Sequence, residues 1–271
     1  MQRYSHMNTK NKLKSNIEYL LQIAVQNHNN GQLEAAIEYY QKVLKLKPDY
    51  AEVYSNLGVL LKQQDDLPAA IKSFQQALKI KPDFVEVYCN LGTAFKKQGN
   101  LSAAVESFQQ AVKIKPDFVE AYCSLGVALK EQGDLSAAIK SFQQALEIKP
   151  DLDIAIFYIC INQLPIIYTS YSEIELRRNN YQSYLQDLAQ HYKQANPENR
   201  QKAADAVGVS KPFYLAYQCL NNRDLQKTNG EMLVHLMSNR YPQWRQDINL
   251  PHLEPNEKIR IGFISGCFHR H

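Results

Sequence analysis

Long apolar runs are missing from this 271-residue chain: none approaches the roughly 18 to 20 residues of a membrane helix, so no membrane partner is expected. Residues 1–16 are polar and lysine-bearing, without the apolar stretch of a secretory signal. The five cysteines (Cys89, Cys123, Cys160, Cys219, Cys267) are odd in number and include no Cys-x-x-Cys pair. That argues against a disulfide framework and fits reduced thiols in the cytoplasm. Charge of one sign is lacking as well: 31 basic against 27 acidic residues leave only +4, with no concentrated basic stripe for nucleic acid. No glycine-rich phosphate cradle is present, so no cofactor is expected in this chain.

What the chain has is repetition. Ser-Phe-Gln-Gln-Ala recurs at Ser73, Ser107 and Ser141, a spacing of 34 both times. The unit beginning at Ala51 matches the one at Val85 at 22 of 34 positions, and that one matches the unit at Val119 at 23 of 34. A fixed period of this length marks a solenoid, whose units bury their apolar faces only by stacking. Within a unit, Val53, Tyr54, Leu57, Leu60 and Leu61 share one helical face, and Ala70, Ile71, Phe74, Ala77, Leu78 and Ile80 share a second. Asp66, Asn100 and Asp134 suit the N-cap of the second helix, and Pro82, Pro116 and Pro150 stop it. Gly99 and Gly133 provide the turn between helices. Gly58, Gly92 and Gly126 lie inside the first helix, where glycine costs about 1 kcal/mol against alanine. A cost repeated at one register predicts close helix–helix approach there.

These residues resemble the tetratricopeptide repeat, met by Leu57, Gly58, Ala70, Phe74, Ala77 and Pro82 and again 34 and 68 residues later. A more divergent unit carries Ala24, Gly31, Ala36, Tyr40 and Pro48. The expected fold is all-α: a right-handed superhelix of helix pairs over residues 17–152, in units 17–50, 51–84, 85–118 and 119–152. A capping half-repeat and helical linker (153–250) would follow, with a connector and one β-strand at 251–271. The resemblance places the first helix of each unit on the concave side. There Asn56, Asn90 and Ser124 form one row, and Lys62, Lys96 and Lys130 a second. Each carboxamide offers a donor and an acceptor to an extended peptide, although repeat identity alone also generates such ladders. Val25 and Val59 stand where a carboxylate clamp would want asparagine. Extended peptides or client proteins are the expected partners.

After Asp151 the period is lost. Tyr181, Tyr184, Leu185, Leu188 and Tyr192 keep helical spacing, as do Leu225, Met232, Leu233, Leu236 and Met237. Pro242, Pro251 and Pro255 predict an extended connector, leading to an apolar strand, Lys258-Ile-Arg-Ile-Gly-Phe-Ile-Ser-Gly266. Arg260 to His271 resembles the opening of the catalytic region of the SPINDLY-like O-linked N-acetylglucosamine transferases, with Phe268 and His271 on the family's Phe and His positions. The resemblance implies a role for His271 beside the sugar-transfer site, and UDP-GlcNAc as the full family's donor. It also implies two Rossmann-like lobes, which the sequence ending at His271 does not contain. The expectation is therefore a binding chain without catalysis of its own, a separate catalytic chain being one partner class. The alternative is a stand-alone adaptor unrelated to glycosylation. Cys267, His269 and His271 alternate as metal ligands on a strand could, without a fourth ligand.

Overall fold

The computed structural model describes residues 2–165, 167–207, 215, 218 and 220–245, which form twelve α-helices, short 3-10 segments and no strand. Four helix pairs come first: α1 (Gln2–Asn29) with α2 (Leu33–Leu46), α3 (Ala51–Gln63) with α4 (Leu67–Ile80), α5 (Val85–Lys97) with α6 (Leu101–Ile114), and α7 (Val119–Gln132) with α8 (Leu135–Ile148). Partners within a pair pack most closely, and each second helix packs on the first helix of the next pair. First helices also touch along the array, α3 to α5 and α5 to α7, and so line its inner side. The solenoid expected from the 34-residue period is present.

Each pair is built by the same local chemistry. The side-chain oxygens of Asp66, Asn100 and Asp134 accept from the backbone N–H of Ala69, Ala103 and Ala137 at 3.1, 3.2 and 2.9 Å, capping α4, α6 and α8. The turns need a left-handed residue: Gly31, Gly99 and Gly133 have φ of 73°, 84° and 96°, and Asp65 fills that role between α3 and α4 at φ 64°. Buried Ser73, Ser107 and Ser141 donate to the carbonyl four residues back, which satisfies their hydroxyls. Between pairs, Lys47, Lys81 and Lys115 lie over the rings of Tyr50, Phe84 and Phe118.

The interior glycines are explained by packing. A Cβ at Gly58, Gly92 or Gly126 would stand 2.6, 2.8 or 2.7 Å from the ring of Phe74, Phe108 or Phe142, all essentially fully buried. In the first pair Ala24 holds this register in a core with Tyr40.

Several expectations need adjustment. The polar residues 2–16 are not separate from the first unit, because α1 runs through them. Ile80, placed on the apolar face by its spacing, is 38% exposed, because it lies in the last turn of α4, beyond the reach of the next pair. Tyr184 is likewise exposed, while Tyr181, Leu185, Leu188 and Tyr192 are buried. Pro242 opens a 3-10 turn, Pro242–Arg245, instead of extended chain.

The half-unit is a single helix, α9 (Asp153–Ile161), packed on α8. Beyond it, α10 (Tyr171–Gln194), α11 (Pro197–Ala206) and α12 (Arg223–Arg240) build a second core with α9, centred on Tyr181, Leu185, Tyr192, Leu215 and Leu236. Asn196 caps α11, its side-chain oxygen accepting from the backbone N–H of Asn199 at 2.8 Å. Arg178 ties α10 to Gln218, Asn222 and the Asn221 carbonyl. The strand expected at residues 258–266 lies outside the described residues.

Candidate functional site

The first helices of the second, third and fourth pairs carry a lysine near the C-terminus, Lys62 on α3, Lys96 on α5 and Lys130 on α7 at the 34-residue spacing, and His28 holds the same register on α1. A cation there complements the negative end of the helix. The three lysines are half-buried, and the structure brings each to the next pair. Lys62 Nζ donates to Asn90 Oδ1 at 2.7 Å, Lys96 Nζ meets Glu131 Oε1 at 3.0 Å, and Lys130 Nζ lies 5.1 Å from the centre of the Tyr158 ring. Tyr158 itself stacks on Phe142 at 4.7 Å.

Asn56, Asn90, Ser124 and Tyr158 share one register. The asparagine and lysine rows meet at one place, Lys62 with Asn90, and Lys130 reaches the same register at Tyr158. The carboxamide oxygen of Asn90, expected to face a peptide, is engaged by Lys62. Burial raises the pKa of the Tyr40 hydroxyl, Asn56 beside it opposing the shift, and the hydroxyl lies 3.5 Å from His28 Nδ1. Lys96 donates to Glu131 of the next pair. His28, Tyr40, Glu131 and Tyr158 were missed from sequence, although His28 and Tyr158 stand one period before Lys62 and one period after Ser124.

The electrostatics of this edge are uneven. Burial lowers the pKa of the Lys62 amine, and the like charge of Lys97 lowers it further. Burial also lowers that of Lys130, opposed in part by Glu131. Among the described residues, Lys96 alone of the three has a carboxylate within ion-pair distance. Glu52, Glu86 and Glu120 sit in the first turns of the same helices, ten residues away or about 15 Å along the axis. The C-terminal ends of the first helices thus carry a row of lysines, the basic edge of the inner helices.

The repeats can now be compared with known proteins. The family model described as TPR repeat matches residues 28–65, 60–99 and 92–133, and that described as Tetratricopeptide repeat matches 119–152. These are tetratricopeptide repeats. Among solved structures, the MamA protein has a TM-score of 0.56 at 23% identity, covering 66% of this chain and 96% of that one. YrrB, described as a TPR protein with an unusual peptide-binding site, has a TM-score of 0.55 at 20% identity, covering 77% and 98%. At these identities the likeness establishes the fold. An O-GlcNAc transferase of Thermobaculum terrenum, 23% identical and covering 50% of this chain and 26% of that one, has a TM-score of 0.46, too low to carry an argument. No curated protein sequence matches the chain.

The three cysteines among the described residues, Cys89, Cys123 and Cys160, are poor nucleophiles. Burial, with Glu86 and Glu120 nearby, pushes the Cys89 thiol up to about 12, and burial with Glu120 pushes Cys123 up to about 11. Cys160, buried beneath α10, is raised to about 12. Such thiols stay protonated at neutral pH and react poorly. His235 is exposed and lies 3.3 Å from the Arg200 guanidinium. Among the described residues no group of three or more His, Cys, Asp or Glu side chains is placed to hold a metal, and no helix is long and apolar enough to cross a membrane. Cys267, His269 and His271 lie outside the described residues.

Proposed function

We propose that this chain is a peptide- or protein-binding scaffold that takes extended, acidic segments of client proteins along the basic edge of its inner helices. The observation that carries this reading is the row of half-buried lysines: Lys62 is bonded to the Asn90 carboxamide with the like charge of Lys97 nearby, and Lys130 rests on the Tyr158 ring, its neighbour Glu131 being bonded to Lys96. A lysine taken partly out of water without a carboxylate is stabilised by any ligand that supplies one. YrrB, a relative in fold, has a peptide-binding site.

The finer assignment is the substrate-recruiting region of an O-linked N-acetylglucosamine transferase-like system, acting in the cytoplasm. Its support is the terminal sequence Arg260 to His271 after tetratricopeptide repeats, with His271 at the sugar-transfer position of that family. In this reading the chain recruits and a catalytic lobe transfers from UDP-GlcNAc. The adaptor reading shares the scaffold and drops the glycosylation.

Titration of the chain with fluorescent acidic and neutral peptides tests the scaffold. Tight binding of the acidic set, weakened in Lys62→Gln/Lys96→Gln/Lys130→Gln, is expected. Equal binding by the parent and the triple variant refutes it. Intact-mass analysis of a client incubated with the chain and UDP-GlcNAc is expected to show no added sugar.

A further inference from the structure

We infer that the end of the lysine row holds an anchor pocket for one apolar side chain of a bound acidic peptide, a refinement that rests on the peptide-binding reading above. A cavity of about 320 Å³ lies where the α7–α8 turn meets the end of α9, lined by Lys130, Leu135, Ile161, Asn162, Leu164 and Ile167 among others. It is at the small end of ligand pockets in general and has room for a leucine- or phenylalanine-sized group.

Three observations converge on it. Ile167 lines the cavity yet is 80% exposed, the most exposed large apolar side chain among the described residues. Lys130 is half-buried and rests on the Tyr158 ring, while the carboxylate of the adjacent Glu131 is engaged by Lys96. Asn162 is 1% exposed, and neither its Nδ2 nor its Oδ1 has a hydrogen-bond partner. A buried carboxamide without partners is costly, and the deficit is relieved when a donor or acceptor arrives. An apolar wall, a cation whose nearest carboxylate, Glu131, is shared with Lys96, and an unsatisfied amide in one cavity match one occupant. It is an extended peptide of a partner protein with an aliphatic or aromatic residue beside an acidic one. The apolar group fills the cavity, its neighbour's carboxylate meets Lys130, and the peptide amide lies above Asn162. The ladder of inter-repeat contacts ends at Tyr158, so a peptide running along the basic edge reaches the cavity at Lys130.

The test uses the full chain and three labelled decapeptides read by fluorescence anisotropy. All are acidic; one carries a leucine beside a glutamate, one replaces that leucine by serine, and one replaces its glutamate by glutamine. The leucine peptide is expected to bind about tenfold tighter than the serine peptide, in keeping with burial of one apolar side chain. The preference is expected to disappear in Ile167→Ser, a substitution at an exposed position. Lys130→Gln should remove the advantage of glutamate over glutamine beside the leucine, whereas Lys62→Gln should leave both preferences and weaken all three peptides alike. Equal binding of the leucine and serine peptides by the parent overturns the pocket while leaving the scaffold standing. Absence of binding by all three overturns the scaffold and the pocket with it. Concentration-dependent dimerisation abolished by Ile167→Ser, seen in sedimentation velocity, would assign the pocket to a second copy and also overturn the proposal.

Discussion

Replacing Gly92 by alanine sets two well-characterised effects against each other, and the structure decides between them. In a helix interior the change favours alanine by about 1 kcal/mol through propensity alone. Here the new methyl would lie 2.8, 2.9 and 3.0 Å from three carbons of the Phe108 ring, whereas carbons rest comfortably at about 3.5–4.0 Å. The ring is 1% exposed and packed among Ala104, Val105, Leu125 and Ala128, so it has nowhere to retreat. Overpacking costs about 1–3 kcal/mol, and contacts this short with a confined ring place the cost at the upper end. The net expectation is a loss of about 2 kcal/mol. With a urea dependence of about 1–3 kcal/mol per molar, that is a midpoint shift of about 1 M, read by far-UV circular dichroism. Gly230, inside α12 with nothing within 4 Å of its would-be Cβ, is the matched control. Gly230→Ala should stabilise its own transition by about 1 kcal/mol. Adding Phe108→Leu to Gly92→Ala should recover part of the loss, because it removes the ring atoms in conflict. A Gly92→Ala variant as stable as the parent, or more so, would refute the packing explanation of the repeated glycine.

Other consequences follow from single residues. Asp65 occupies the left-handed region at φ 64° where the equivalent turns use glycine, so Asp65→Gly should raise stability by about 1 kcal/mol; a fall in the urea midpoint would mean that its side chain has a compensating role. Cys123, raised by burial from its ordinary value to about 11, should be alkylated at pH 8 about a hundredfold more slowly than in the unfolded chain, accelerating about tenfold per pH unit. Equal native and denatured rates would contradict its burial. Burial raises the pKa of Asp153, with the Tyr192 hydroxyl bonded at 2.6 Å opposing the shift. A group whose folded pKa is raised contributes stability below its unfolded value, about 4, and loses it as pH climbs through the folded one. The melting temperature of Asp153→Asn minus that of the parent should therefore grow from pH 3 to pH 7, and a difference that shrinks would show that the charged bond to Tyr192 outweighs burial.

Much of the array was legible because its signals are local and repeated. The N-caps, the glycine turns and the proline stops act within a few residues of themselves, so Asp66, Gly99 and Pro82 could be placed from spacing alone. The interior glycines pointed to a close approach without naming the ring that causes it. What spacing could not give was the partner of each exposed-looking side chain. Asn90 and Lys62 are 28 residues apart, and nothing in either unit alone announces that one donates to the other. Ile80 read as core because its period is right, yet helix ends project past their neighbours. The cavity beside Asn162 depends on how α9 meets the α7–α8 turn, which follows from packing after the repeat pattern has ended.

The most direct test of the account is a binding isotherm for an acidic decapeptide against the full chain and against Lys62→Gln/Lys96→Gln/Lys130→Gln. The account predicts saturable binding that weakens at least tenfold in the triple variant, with helix content unchanged, and that weakens in the parent as salt rises. Identical isotherms for the two proteins would show that the basic edge of the inner helices is not where this chain meets its clients.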